Sequence, residues 1–497
     1  MFWADKLLEN RSGKEVVNDS WTPSGIIHMG SLKGPVIHDS LFRIFKERDA
    51  DVKFMYGFDD FDPIDGLPED LEKSHSKYLG IPISIAPSPD GNGSFGEYFG
   101  GKMKKLIDRL GINAEIYRTS ELYKEGKFDD AIKFVLDNVQ GARDVYGAIY
   151  NKEIANDWFP LQVVCSKCGR LGTTKVTGWN GNTVSFSCEQ DLVKWAEGCG
   201  EKGNISPFGG NAKMPYKVEW AAKWSTFGVT IEGAGKDHAS AGGSYDVAMK
   251  LASDVFKIKQ PLKFGYEFFL LGGKKMSSSK GVGLTGEELL EVLTPQTARF
   301  LMIKTRPEQA VEFDPRSPDI IPRIYDDYQK GAELNEDDEL RRAFNLSQIG
   351  EVEKVPQFRF SVLTQWVQMP NMDEEIKKEG AENWAKYARK WVEKYAPESE
   401  KFLVAKELPE EAKNLSAGQK VYLEKVAKII SEFKDVEEFQ TKIYETAREI
   451  NLSPKDAFAA IYFALIGKDH GPKAAWLIKS LDSEFVTKRF QDVSHFA

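Results

Sequence analysis

The apolar positions change their period early in the chain. Glu15-Val-Val-Asn-Asp-Ser20 has the pattern of a brief strand, and Pro23-Ser-Gly25 ends it in an irregular turn. Ile37, Leu41, Ile44 and Phe45 then recur at helical spacing, which predicts a long amphipathic helix starting near Gly30 and resting one face on a sheet. Val52-Lys-Phe-Met-Tyr-Gly57 predicts a second buried strand, parallel to the first, with that helix as the crossover. Strand, helix and strand in this order predict an α/β fold with a doubly wound parallel sheet. The acidic loop Phe58 to Asp65 leaves its carboxyl edge, the side on which such sheets bind ligands.

Downstream, Pro82 to Gly101 reads as a long loop, and residues 102–150 as helices with short strands such as Glu115-Ile-Tyr. Val218 to Trp224 and Val229 to His238 return the chain to the sheet, and Phe264 to Leu271 is a further strand. The remainder is helical: Trp384, Tyr387, Trp391 and Tyr395 share one face, as do Val426, Ile430 and Phe433, and Ser453-Pro454-x-Asp456 carries a cap and an N1 proline. These aromatic stripes read as core, and Glu333 to Glu339 as a solvated linker. The expected organisation is a catalytic domain in two halves, 1–110 and 218–270, with a connective subdomain inserted at 111–217. A loop and connecting region follow at 271–330, and a helical domain at 331–497.

With 497 residues the chain is long enough for two to four domains. No long apolar run is present, so a soluble cytoplasmic protein without a membrane partner is expected. The net charge of −9 disfavours nonspecific phosphate binding, so a nucleic-acid partner has to be held by local patches. All four cysteines, Cys165, Cys168, Cys188 and Cys199, fall in one window. A Cys-x-x-Cys turn followed by two more thiols predicts one structural Zn²⁺, and four thiolates leave no open position for water.

The helix start offers free N–H groups and the positive end of a dipole to an anion, with His28 at its lip and Gly30 allowing close approach. His28-Met29-Gly30-Ser31 resembles the first ATP-binding motif of class I aminoacyl-tRNA synthetases, His-x-Gly-His. Lys275-Met276-Ser277-Ser278-Ser279-Lys280 resembles their second, Lys-Met-Ser-Lys-Ser. With Thr22-Pro-Ser24-Gly25, Trp220-Ala-Ala-Lys-Trp224 and Gly235-Lys-Asp237-His238-Ala-Ser-Ala-Gly-Gly-Ser244, the resemblance narrows to class I lysyl-tRNA synthetases of the archaeal type and covers nearly the whole chain.

That resemblance implies a Rossmann-type catalytic domain and a helical anticodon-binding domain. It implies ATP and lysine as substrates, Mg²⁺ on the phosphates and tRNA(Lys) as partner, with no obligate protein partner evident. His28, Lys275 and Lys280 are expected to be catalytic. Gly30, Ser31, Asp237, His238, Met276, Ser277 and Ser278 are expected around ATP, and Ser24 and Gly25 beside the amino acid. A lysine pocket must replace the hydration of an ammonium with fixed acceptors. Asp60 and Asp62 are the expected carboxylates, with Trp220 and His238 walling the stem and Glu219 and Glu267 next in line. Asp59 and Asp65 are expected only to cap turns or face solvent.

Three departures stand out: Ser31 replaces the second histidine, Ser278 displaces the second lysine to Lys280, and residues 89–101 lack the second Cys/His cluster of many relatives, so one metal is expected. The alternatives are a glutamyl-type class I synthetase, a small-molecule adenylating ligase without the C-terminal helices, or a noncatalytic tRNA-binding paralogue, which should have lost His28 or Lys275.

Overall fold

The computed structural model describes residues 1–276 and 283–496, which form two units. The first holds Met1–Leu290, Pro295–Asp314 and Glu333–Val352; the second holds Glu291–Thr294, Pro315–Ala332 and Glu353–Ala497.

A five-stranded sheet lies at the centre of the first unit. Its strands are β1 (Glu15–Trp21), β2 (Val52–Phe58), β3 (Glu115–Arg118), β4 (Ile231–Gly235) and β5 (Leu262–Tyr266), in the order β5-β4-β1-β2-β3 with every pairing parallel. Helix α1 (Lys33–Glu47) crosses from β1 to β2 and buries Val36, Ile37, Leu41, Ile44 and Phe45 completely, as the helical spacing predicts. Strand order reverses between β1 and β4, which opens a crevice at their carboxyl ends.

Several boundaries differ from expectation for local reasons. A 3₁₀ turn, Met29–Leu32, precedes α1, because Ser31 N–H closes on the carbonyl three residues back, that of His28 (2.9 Å). Helix α2 (Phe95–Arg109) starts inside the expected loop: Ser94 and Glu97 form a capping box that the surrounding glycines obscure. Strand β3 lies in the central sheet although it falls beyond residue 110. The single strand expected over Phe264 to Leu271 divides at Glu267, whose N–H bonds Pro307 O (2.8 Å). Phe269–Leu271 then joins a small sheet with Lys274–Lys275 and Val311–Glu312.

The expected linker region at Glu333 to Glu339 runs into helix Glu339–Ser347, which belongs to the first unit. There Arg342 pairs with Asp5 and Glu47, and Arg43 and Arg299 reach the carbonyl of Leu346. The inserted subdomain contains an antiparallel sheet of Thr174–Trp179, Val184–Cys188 and Lys202–Ile205, and the pair Gln162–Val163 with Ala212–Lys213.

The second unit is helical. Trp384 and Trp391 of helix Glu382–Lys394 are core residues, and Trp391 donates to Pro315 O (2.7 Å). Ser453 caps helix Pro454–Ile466, with the proline in its first turn. No helix among the described residues is long and apolar enough to cross a membrane.

Candidate active site

Three neighbouring cavities of 560, 240 and 250 Å³ occupy the crevice and share Trp21 in their walls. His28 leaves β1 in an extended conformation and lies between the two smaller ones. The chain just after the lysine–serine loop clamps it in place. Met29 N–H donates to Leu284 O (2.9 Å), Gly286 N–H donates to Ile27 O (2.8 Å), and His28 and Thr285 form an antiparallel bridge. The first motif is therefore hydrogen-bonded to the segment Leu284 to Gly286, which follows the second motif in sequence.

Glycine at position 30 leaves room for the His28 ring, because a Cβ there would lie 2.8 Å from it and force the ring to shift. Burial first, and then the charge of Lys275, holds the His28 imidazole below its ordinary pKa of 6.5, so the ring is neutral near pH 7. Its Nδ1 is buried without a hydrogen-bond partner among the described residues. Such an orphaned atom at a helix start suits a polar ligand.

Gly30, Ser31, Asp237, Lys275 and Met276 surround the same 250 Å³ cavity as His28. Lys275 pairs with Asp237 and lies 3.9 Å from the centroid of the Phe268 ring. Ser24 lines the large cavity and the 240 Å³ one, Gly25 only the latter, and Trp220 and His238 the former. Ser277, Ser278 and Lys280 lie outside the described residues.

The large cavity is acidic. Asp19, Asp59, Asp62, Asp65, Glu219 and Glu232 reach its wall, against one lysine, Lys223. Two cations neutralise part of that charge. Lys213, from the inserted subdomain, bonds Asp62 (2.9 Å) and Glu219 (2.7 Å), and Lys223 pairs with Asp59 and with Glu219 (3.5 Å). Asp59 thus faces the crevice, contrary to the expectation of a turn cap.

Asp60 corrects the opposite way. It is 1 % exposed, lines none of the three cavities, and its carboxylate is taken up by Arg118 (3.2 Å) and by the N–H and hydroxyl of Ser120 (both 2.9 Å). It is not available to an ammonium. Asp62 lines the cavity but already holds Lys213 and the Thr22 hydroxyl (3.2 Å). Glu267, the other reserve candidate, pairs with Lys236.

Two acids that sequence reasoning missed have no lysine or arginine within ion-pair reach among the described residues. Asp19 of β1 is 6 % exposed; its nearest basic neighbour, His38 at 3.7 Å, is kept neutral by burial, with a pKa of about 4. Burial and then the nearby Glu232 raise the Asp19 carboxyl well above its ordinary range. Glu232 of β4 accepts from Trp220 (2.8 Å), Trp224 (2.7 Å) and Asn18 (2.9 Å). Burial nevertheless pushes its pKa to about 7, against the pull of those donors. The available signal was a polar residue inside each buried parallel strand, where apolar runs are the rule.

The four cysteine sulfurs lie within 4.8 Å of one another, with Cys165 and Cys199 at 3.6 Å and Cys168 and Cys188 at 3.7 Å. Four sulfurs at 2.3 Å from one zinc sit about 3.8 Å apart, so the set fits a tetrahedral ion. The wide spacing from Cys188 to Cys199 closes because Gly198 folds back on Glu189, where any Cβ would overlap the carbonyl oxygen at 2.1 Å. Leu171 N–H and Gly172 N–H bond Gly80 O, and Gly80 N–H bonds Ile64 O, which ties this knuckle to the acidic loop.

The model of the family described as tRNA synthetases class I (K) matches residues 2–350. A lysine–tRNA ligase of Methanosarcina barkeri (strain Fusaro) is 33% identical over 540 residues, covering 100% of this chain and 98% of that protein. Those of Picrophilus torridus and Archaeoglobus fulgidus are each 32% identical, covering 99% of this chain and 99% of theirs. Full-length similarity at this level, on a crevice where His28, Gly30 and Ser31 share a cavity with Lys275 and Met276, leads to one conclusion: this chain belongs to the tRNA synthetases of class I (K).

Proposed function

We propose that the protein is a lysine–tRNA ligase, which activates lysine with ATP and transfers it to the terminal adenosine of tRNA(Lys). The observation that carries the choice of amino acid is the acidic cavity: among the described residues two buried carboxylates lack a lysine or arginine partner, and lysine brings two ammonium groups. A glutamyl-type site would need a free cation there, and both lysines present are already paired. The retention of His28 and Lys275 in one cavity argues against a noncatalytic paralogue.

In adenylation the lysine carboxylate attacks the α-phosphorus of ATP, a bond to oxygen forms, and pyrophosphate leaves. A ribose hydroxyl of tRNA then displaces AMP from the mixed anhydride. Neither step needs a protein nucleophile, so the chain's part is positioning and charge stabilisation. The neutral His28 ring meets the triphosphate, Gly30 and Ser31 offer backbone at the helix start, and Lys275 and Lys280 meet the departing pyrophosphate, with Mg²⁺ on the phosphates. Ser24 and Gly25 border the amino acid, Trp220 and His238 wall its stem, and Asp237 and Met276 flank the nucleotide. Cys165, Cys168, Cys188 and Cys199 hold one structural Zn²⁺. The helices of the second unit bind the anticodon arm, and the protein works in the cytoplasm.

ATP–pyrophosphate exchange with each of the twenty amino acids tests this reading. Lysine alone should support rapid exchange, and His28→Ala and Lys275→Ala should each slow it on the order of a hundredfold, the scale of one lost transition-state contact. Exchange without preference for lysine, or unchanged rates in both variants, would refute it.

A further inference from the structure

Lys33, the first residue of α1, is a cation that neither motif accounts for. It is 2 % exposed and lines the same cavity as His28, Ser31, Tyr266 and Lys275. Its ammonium makes one hydrogen bond, to the carbonyl of Glu267 (2.7 Å), and lies 5.5 Å from the centroid of the Phe269 ring. An ammonium has three protons to donate, and among the described residues no carboxylate lies within ion-pair reach of this one. The surrounding charges are otherwise engaged: Glu267 holds Lys236, and Asp237 holds Lys275. Glu308 acts on Lys33 only at longer range.

Both the burial and the position count against the charge. A lone buried cation is costly, and the positive end of a helix is the unfavourable end for it. The same two features suit a polyanion that supplies the missing counter-charge. We propose that Lys33 is a phosphate-binding residue of the nucleotide site, a buried cation beside the neutral His28 ring and Lys275. This rests on the nucleotide reading of the cavity and deepens it.

The state of the free protein is consistent. Burial pulls the Lys33 ammonium down to about 8, against the raising influence of Glu267 and then Glu308. Bound phosphate stabilises the charged form, so ATP binding near pH 8 should take up a proton, and ATP affinity should fall as the pH rises above that value. Of the other titratable groups facing this cavity, Asp237 and Glu267 are held in ion pairs with Lys275 and Lys236, and His28 and Tyr266 do not account for such uptake. The imidazole titrates below pH 6.5, and burial followed by the charges of Asp19 and Glu232 keeps the phenol protonated.

Calorimetry of ATP–Mg²⁺ binding to the full chain near pH 8, in two buffers of different ionisation enthalpy, reads the proton directly. Wild type should take up a fraction of a proton. Lys33→Met should take up none and bind ATP roughly tenfold to a hundredfold more weakly, the range for losing one charged hydrogen bond. Lys33→Arg should restore most of the affinity. Lys33→Gln, which keeps a donor for the Glu267 carbonyl, should not restore it. If Lys33→Gln binds ATP as wild type does, the side chain only anchors that carbonyl and the proposal falls. It falls equally if Lys33→Met binds normally. Should Lys33→Met not fold, absence of proton uptake by wild type overturns the proposal without it. A wild type that binds no ATP at all defeats the nucleotide reading instead.

Discussion

Chelation of the metal from the purified protein is expected to unfold the inserted subdomain and to lower lysine-dependent exchange well over tenfold. The strands around the knuckle are only two to six residues long, and the buried Cys165 and Cys188 are part of the core beside them. Structural zinc contributes about 10 kcal/mol or more in small domains of this kind. Without the metal, four buried or half-buried thiols are left facing one another, and the loop from Cys188 to Cys199 keeps backbone bonds such as Gly198 N–H to Glu189 O (3.1 Å) and Gly200 N–H to Cys188 O (2.9 Å).

The loss reaches the active site by two routes. Lys213 sits on the short strand Ala212–Lys213, which pairs with Gln162–Val163 next to Cys165, and it neutralises Asp62 and Glu219. Removing one partner from a buried ion-pair network costs about 3–5 kcal/mol. Leu171 and Gly172, beside the knuckle, hold Gly80 and through it the acidic loop. Elemental analysis should give one zinc per chain, and Cys168→Ser should lose the metal and melt at lower temperature. A protein without zinc, or a Cys168→Ser variant with unchanged metal content, would count against the site.

The parts of this molecule that the sequence makes legible are those written in continuous stretches. Strand β1, helix α1 and strand β2 follow from local periodicity, and His28 and Gly30 follow from one short motif. What stays hidden depends on direction and on distance. Asp59 and Asp60 are adjacent just past the end of β2, where the chain leaves the strand for a turn and strand alternation no longer says which way a side chain points. Asp59 turns to the crevice and Asp60 to Arg118, and nothing in the local pattern says which does which. Lys213 meets Asp62 only through the tertiary fold. Asp19 and Glu232 were concealed by being inside strands, where their neighbours made them read as sheet residues rather than as chemistry.

Those two acids carry the last prediction: Asp19→Asn should raise the lysine concentration needed for exchange on the order of a hundredfold while leaving ATP affinity nearly unchanged. Losing one partner of a buried, hydrogen-bonded charge pair costs about 2–5 kcal/mol. Asparagine keeps the volume, so the fold is not at risk. Asp19 is the cleaner choice because Glu232→Gln would face the indole N–H groups of Trp220 and Trp224 with only one acceptor oxygen, and so mix stability with binding.

The pH dependence gives an independent check on the same group of residues. Glu232 has a folded pKa of about 7 against an ordinary 4.5, so between those values the folded protein holds a proton that the unfolded chain has released. Its contribution to stability is therefore full below 4.5 and is lost as the pH rises through 7. The total is about 3 kcal/mol, at 1.36 kcal/mol per unit. An ammonium ligand reverses the balance by favouring the carboxylate. Lysine binding near pH 6 should release protons, lysine affinity should rise with pH up to about 7, and lysine should protect the protein against melting more strongly at pH 8 than at pH 5. Lysine affinity that is flat across this range, together with an Asp19→Asn variant of normal lysine requirement, would place the ammonium elsewhere in the cavity.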